Sequence, residues 1–260
     1  MWSYQHSNIQ VHQIPALNDN YIYLIQSKHD NTLAAIDPGD AVAVNLACKQ
    51  LGQPLTHILN THHHWDHTDA NKALKQRHHC HIIGASHDAE RIPCMDQGVA
   101  IGERFTLGGA TYDVLDVGGH TLGHIAYVVD DALFCGDALF GAGCGRIFEG
   151  TFEQTWHSLQ RLAALDEKTK VYCAHEYTLP NLRFARSVDP HNQALQQRIH
   201  ADTQTRMQQQ PTIPSSIGLE CATNPFLRPL HHEFCRAYAQ EHQIKGNPLT
   251  VFTHLRKSKG

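Results

Sequence analysis

Four candidate metal ligands, His62, His64, Asp66 and His67, fall within the six residues that follow Thr61 in Thr61-His62-His63-His64-Trp65-Asp66-His67. The run His57 to Asn60 (HILN) reads as a short strand that delivers the chain into this segment. So dense a set suits one tight loop better than a helix. In such a loop, side chains at alternate positions converge from one side, so His62 and His64 can share one ion while Asp66 and His67 turn to a second. His63 and Trp65 then point away and support the ligands from outside. Three more candidates stand apart, each just past an apolar run: His120 in DVGGHTLGH, Asp137 in LFCGDALF and His175 in VYCAHEY. Strand ends are where an α/β scaffold usually places its chemistry.

The donors are nitrogen and oxygen, a set that accepts zinc, iron or manganese. His62, His64 and His120 can hold one ion, and Asp66, His67 and His175 the other. Asp137, with two carboxylate oxygens, can bridge both. Two divalent ions about 3.5–4 Å apart polarise a carbonyl on one side and offer it a bridging hydroxide, which is a hydrolytic arrangement. Zinc is the first choice of metal, and Asp137, Asp66 and His67 are assigned to catalysis as well as ligation. Cys135 and Cys173 belong to the runs before Asp137 and His175. They are expected to pack inward, with thiolate ligation the lesser alternative.

The elements that must position these residues are short and alternate with turn signals. Tyr21 to Ile25, Leu33 to Ile36, Ile82-Ile83, Thr111 to Val117, Ile125 to Val129, Ala132 to Phe134 and Val171 to Ala174 read as strands. The strand at Leu33 stops at Asp37-Pro38-Gly39, strong turn chemistry. Ala41 to Leu51 has helical spacing and Gly52 to end it, and Ala70 to Gln76 is helical too. Thr151 with Gln154 forms a capping box ahead of Phe152, Trp156, Leu159 and Leu162. Beyond Pro180 the character changes. Asn181 to Gln210 is long, polar and helix-compatible, with Pro190 punctuating it; Pro211 to Pro214 breaks the chain, and His231 to Gln243 reads as a further helix. The expectation is an α/β domain over 1–180 followed by a small helical domain over 181–260.

Composition sets the outer bounds. The chain has 260 residues, 41% hydrophobic and 18% charged, enough to bury a core without disulfides. A formal net charge of −4 argues against general nucleic-acid binding, which needs a broad basic surface. Histidine is the anomaly, at 22 residues against 21 Lys plus Arg. Most of these lie outside the motif and are expected on surfaces. The eight cysteines form no C-x-x-C pair and read as reduced thiols. The opening MWSYQHSNIQ lacks a basic stretch followed by an apolar one, and no run reaches the length of a membrane span. The expectation is a soluble cytoplasmic monomer with no nucleic-acid or membrane partner.

The blocks THHHWDH, GHTLGHI, LFCGDALF followed by GCGR and FEG, AHEYTLPNLRFA, NPFLR and the very C-terminus resemble the metallo-β-lactamase superfamily and, within it, glyoxalase II (hydroxyacylglutathione hydrolase). The resemblance covers essentially the whole chain. It implies a metallo-β-lactamase αββα sandwich with the metals at one edge and a C-terminal helical domain that binds glutathione. All seven ligand positions of the family pattern are filled. The resemblance also implies substrate contacts at Arg146 in GCGR, at Tyr177 after His175-Glu176, and at Arg256 and Lys259 in LRKSKG. Phe148 stands where some relatives carry tyrosine; a hydroxyl contact is lost there, while its backbone N–H can still donate.

The implied reaction is hydrolysis of S-(2-hydroxyacyl)glutathione thioesters, S-D-lactoylglutathione to D-lactate and glutathione, the second step of methylglyoxal detoxification. A glutathione thioester is a net anion, for which arginine and lysine are suitable partners. On the residues alone, Arg256 and Lys259 read as a solvated basic tail; the resemblance turns them into substrate ligands. Glutathione leaves as a thiolate, which needs no dedicated general acid because a thiol pKa is about 8.5. Three rivals stand beside this reading. One is another hydrolase of the superfamily, such as a β-lactamase, lactonase or phosphodiesterase. A second is an iron-dependent sulfur dioxygenase acting on glutathione persulfide. The third is a catalytically silent scaffold, opposed by the high cost of keeping buried histidines and carboxylates without use.

Overall fold

The computed structural model describes residues 1–259, divided between two units. The first comprises Met1–Asp116 and Thr121–Gly136, the second Val117–His120 and the chain from Asp137 onward.

Seven strands of the first unit form one sheet in chain order: β1 (Trp2–Gln5), β2 (Ile9–Ala16), β3 (Asn20–Ser27), β4 (Leu33–Ile36), β5 (His57–Leu59), β6 (His81–Ala85) and β7 (Gln97–Val99). β1 to β4 are antiparallel and β4 to β7 parallel. Parallel neighbours need crossovers, supplied by α1 (Ala41–Leu51) and then by α2 (Trp65–Thr68) with α3 (Asn71–His78). Asp40 starts α1 by accepting from the amides of Val42 and Ala43, and Gly52 ends it in a left-handed conformation. One face of the sheet buries Leu24, Leu33, Ile58 and Ile82 against Val44, Ala47 and Leu74 of α1 and α3. The other face meets a four-stranded antiparallel meander, β8 (Arg104–Leu107), β9 (Ala110–Asp116), β10 (Ile125–Val129) and β11 (Ala132–Gly136). Tyr23 of β3 packs edge-on to Phe134 of β11 at 5.7 Å. Covered on both sides, β3 is buried continuously from Asn20 to Ile25.

Strands β1, β2, β7 and β8 are additions to the sequence reading. In β2, His12 and Gln13 are buried polar residues that obscure the pattern. Both are bonded across the sheet, His12 to Ser3 at 2.8 Å and Gln26 at 3.0 Å, and Gln13 through its Oε1, which accepts from the Tyr4 hydroxyl at 2.9 Å.

The second unit begins with the hairpin β12 (Leu139–Phe140) and β13 (Gly143–Cys144), followed by α4 (Phe152–Ala163) with its Thr151–Gln154 capping box in place. Strand β14 (Lys170–Cys173) pairs antiparallel with the short β15 (Ser215–Ser216). The remainder is helical: α5 (Thr178–Val188), α6 (Gln193–Met207), α7 (Ile217–Thr223), α8 (His232–Glu241) and α9 (Pro248–Lys259). Pro190 separates α5 from α6, which Asn192 caps through the Leu195 amide. The segment that reads on its residues alone as a basic tail is α9, which buries Val251, Phe252, Leu255 and Arg256, with Phe252 5.4 Å from Trp156 of α4. Among the described residues, no helix is long and apolar enough to cross a membrane.

Candidate metal centre and substrate cavity

In the first unit, β5 runs into Asn60-Thr61, and both residues fix the ligand-bearing segment after them. The Asn60 amide donates to the His67 carbonyl at 2.9 Å. Thr61 donates its N–H and hydroxyl to the two oxygens of Asp37, at 2.7 and 2.6 Å. The segment then departs from a single loop: His62 to His64 lie outside any helix, but Trp65–Thr68 closes one helical turn, α2, which carries Asp66 and His67. Consecutive positions on a turn diverge by roughly 100°, so Asp66 and His67 leave the backbone in different directions without needing an irregular loop. His62 is fully buried, with His67 4.1 Å and His64 4.7 Å from it, ring to ring, and His124 stacked at 4.5 Å. Asn20 donates to Asp66 Oδ2 at 3.1 Å. Gly39 is required for close approach: a Cβ there would stand 2.0 Å from the Asp66 carbonyl.

Asp37 is the functional residue that sequence reasoning missed. In the sequence it shows only as turn chemistry, yet its carboxylate is buried, lies 3.1 Å from His67 Nδ1, and its donor atom falls within 4.8 Å of those of His62 and His67. The same carboxylate accepts from Thr61, so it braces the segment that carries His62 and His67. Its signal is a left-handed backbone (φ 49°) forced on a non-glycine residue at a strand end. His63 and Trp65 do point away, His63 to buried Asp88 at 3.1 Å and Trp65 to solvent.

The second unit brings together His120, Asp137 and His175. The two oxygens of Asp137 face different rings, Oδ2 at 3.4 Å from His120 Nε2 and Oδ1 at 3.3 Å from His175 Nε2. His120 Nδ1 donates to the Arg146 carbonyl at 2.8 Å, which presents Nε2. Donors each 2.0–2.1 Å from one tetrahedral ion lie about 3.3–3.4 Å apart. The Asp137 distances match that edge, and in the first unit Asp66 Oδ2 to His67 Nε2, at 3.5 Å, comes close. Both donor sets therefore fit divalent metal. Cys173 donates to the His175 carbonyl at 3.6 Å, and burial pushes its thiol up, so it acts on the ligand's backbone.

A cavity of about 420 Å³ opens beside His120 and Asp137 and is lined by Arg146, Phe148, Tyr177, Arg256 and Lys259, together with Phe140, Cys144 and Asn181. Tyr177 stacks on His175 at 4.7 Å, and Phe140 packs edge-on to both rings. Gly145 allows the chain past Asp137, whose carbonyl a Cβ would meet at 2.1 Å. Arg256 is only 6% exposed and lies over the Phe226 ring, so it is no solvated tail. Lys259 donates to Asn181 Oδ1. Burial lowers its pKa to about 8; Cys144 opposes that shift, and Arg256 and Arg146 add to it. One expectation is corrected here. The Phe148 N–H, expected to be available to substrate, donates to the His120 carbonyl at 3.3 Å. Phe148 contributes an exposed ring instead, edge-on to His120 at 5.1 Å.

Comparison with known proteins identifies the family. The family described as hydroxyacylglutathione hydrolase C-terminus matches residues 176–260, and the metallo-beta-lactamase superfamily matches 17–93 and 107–175. A hydroxyacylglutathione hydrolase of Rhodospirillum rubrum is 46% identical over 97% of this chain and 98% of its own. That of Methylococcus capsulatus is 49% identical over 96% and 98%. The chain belongs to the hydroxyacylglutathione hydrolase family. Its fold is that of the metallo-β-lactamase superfamily: ETHE1 from Myxococcus xanthus has a TM-score of 0.66 at 25% identity, covering 96% of this chain and 99% of that one. BLEG-1 B3 metallo-beta-lactamase has 0.64 at 22%, covering 84% and 99%. The part matched to the hydroxyacylglutathione hydrolase C-terminus carries Tyr177, Arg256 and Lys259, so α9 lies inside the family's pattern.

Proposed function

We propose that the chain hydrolyses S-(2-hydroxyacyl)glutathione thioesters, with S-D-lactoylglutathione the principal substrate and D-lactate and glutathione the products. The carrying observation is the cavity of the second unit, where two candidate ligands and three cationic side chains share one lining. Near-full-length likeness to hydroxyacylglutathione hydrolases supports the same substrate.

His62, His64 and His120 would hold one divalent ion, Asp66, His67 and His175 the other, and Asp137 would serve both, with zinc preferred over iron or manganese. Bound there, the ions supply Lewis-acid polarisation of the thioester carbonyl and water of lowered pKa. The protein's own groups do the rest. The Thr61 hydroxyl oxygen and the Arg146 carbonyl hold imidazole protons on Nδ1 of His62 and His120, and Asp37 braces Thr61. Arg146, Arg256 and Lys259 bind the carboxylates of glutathione, and the rings of Tyr177 and Phe148 flank the thioester and keep water from its far side. In functional terms residues 1–180 carry the catalytic part and 181–260 the glutathione-binding part, in a cytoplasmic monomer.

The test is metal counting on purified protein paired with assay of S-D-lactoylglutathione. About two ions per chain with turnover of the thioester is expected. A single iron with oxygen-dependent consumption of glutathione persulfide would replace this reading with the dioxygenase one. Turnover of β-lactams or lactones but not thioesters would replace the substrate.

A further inference from the structure

Behind the cavity of the second unit lies a charged group that the chemistry does not use. Glu220 of α7 is fully buried. Its Oε1 accepts from Arg198 Nη2 at 2.7 Å and from the Ser215 hydroxyl. Its Oε2 accepts from Asn224 Nδ2 at 3.0 Å and from the backbone N–H of Ala142 at 2.9 Å. Ala142 is a turn residue of the β12–β13 hairpin and has φ 52°, a left-handed conformation that alanine adopts only where the surroundings hold it. The rest of the turn is gripped too. Asn224 donates to the carbonyls of Gly143 at 2.9 Å and Phe140 at 3.3 Å, and Asn181 to that of Gly141 at 2.9 Å.

A buried ion pair is a poor route to stability, since well-packed apolar residues often do as well. What this one holds is the hairpin from which the cavity is built. Phe140 and Cys144 line the cavity directly, and the next two residues bring Arg146 into it and place its carbonyl on His120 Nδ1. We infer that Glu220, backed by Arg198 and Asn224, is a positioning residue that sets the hairpin and through it the placement of Arg146 and His120 for substrate. The inference rests on the thioesterase reading for its functional half only.

Two variants test it, Glu220→Gln and Asn224→Ala; the second leaves the Glu220–Arg198 pair intact and serves if the first folds poorly. Each is measured well below its melting temperature, by amide hydrogen exchange and by steady-state kinetics on S-D-lactoylglutathione. Exchange over residues 141–146 should quicken by roughly tenfold or more while the helices keep their protection. KM should rise on the order of ten- to a hundredfold with kcat changed less, since misplacement at a distance acts through substrate orientation. Unchanged exchange in the hairpin overturns the inference, and so does quickened exchange with KM within about twofold of wild type. A wild type that turns over no glutathione thioester sinks the substrate reading instead, and the exchange arm still decides whether Glu220 sets the hairpin.

Discussion

Asp137 is the residue on which the two-ion reading is most exposed, because each of its oxygens faces a different histidine. Asp137→Ala should lower bound metal from about two ions to at most about one and nearly abolish turnover, checked by metal analysis and assay. Two tightly held ions with near-normal rate would contradict it. Lys259 gives a prediction in pH. Its pKa, lowered to about 8 by burial, puts it in the cationic form below that value and in the neutral form above. Attraction for an anionic thioester is therefore present at pH 7 and lost as pH rises through about 8. The kcat/KM profile of the free enzyme should fall there, and Lys259→Arg should carry the plateau to higher pH. At this scale the candidate ligands are legible because histidine and aspartate at strand ends have few other uses. Asp37 is not, because an aspartate before Pro-Gly satisfies a turn and needs no further explanation until its partners are seen.

Helix α9 is the element in which the residues read alone and the structure differ most. Its apolar residues, Val251, Phe252 and Leu255, do carry helical spacing behind Pro248, a residue favoured in a first turn. The cations of LRKSKG draw the reading toward solvent, whereas the packing of Phe252 against Trp156 draws the helix in. That burial turns Arg256 and Lys259 from a tail into part of the cavity lining. Replacing both with Ala should raise KM by on the order of ten- to a hundredfold per residue while kcat falls much less, as expected for lost charge-assisted bonds. Metal content should stay at the wild-type value. An unchanged KM would mean that the cations serve only the fold. Helix α2 is a smaller instance of the same difficulty, since four residues of helix are too few to show a period.

Across the whole molecule, the α/β character and the helical end can be read from the alternation of short apolar runs and the polar stretch after Pro180. The path of the chain between units cannot, because composition does not change at residues 117 to 120 or at 136. Candidate ligands drawn from several strand ends predict that bound metal stabilises the folded chain. Removing it with a chelator should lower the melting temperature by about 5–15 °C, given binding worth a few kcal/mol in a chain of this size. Restoring zinc should restore it, and calorimetry with and without chelator would check both; a melting temperature indifferent to metal would mean that the folded chain does not bind the ion more tightly than the unfolded one, against the metal reading.

The excursion Val117–His120 has a consequence for synthesis. A nascent polypeptide leaves the ribosome amino end first, so the first unit is complete in the emerging chain once Gly136 is out, while these four residues still lack nearly all of theirs. Asp116 and Ile125 pair directly across β9 and β10, so the excursion forms part of the tip of a hairpin that can close at once. His120 is thereby tethered on both sides in a short loop before Arg146, made later, supplies the carbonyl that accepts from its Nδ1.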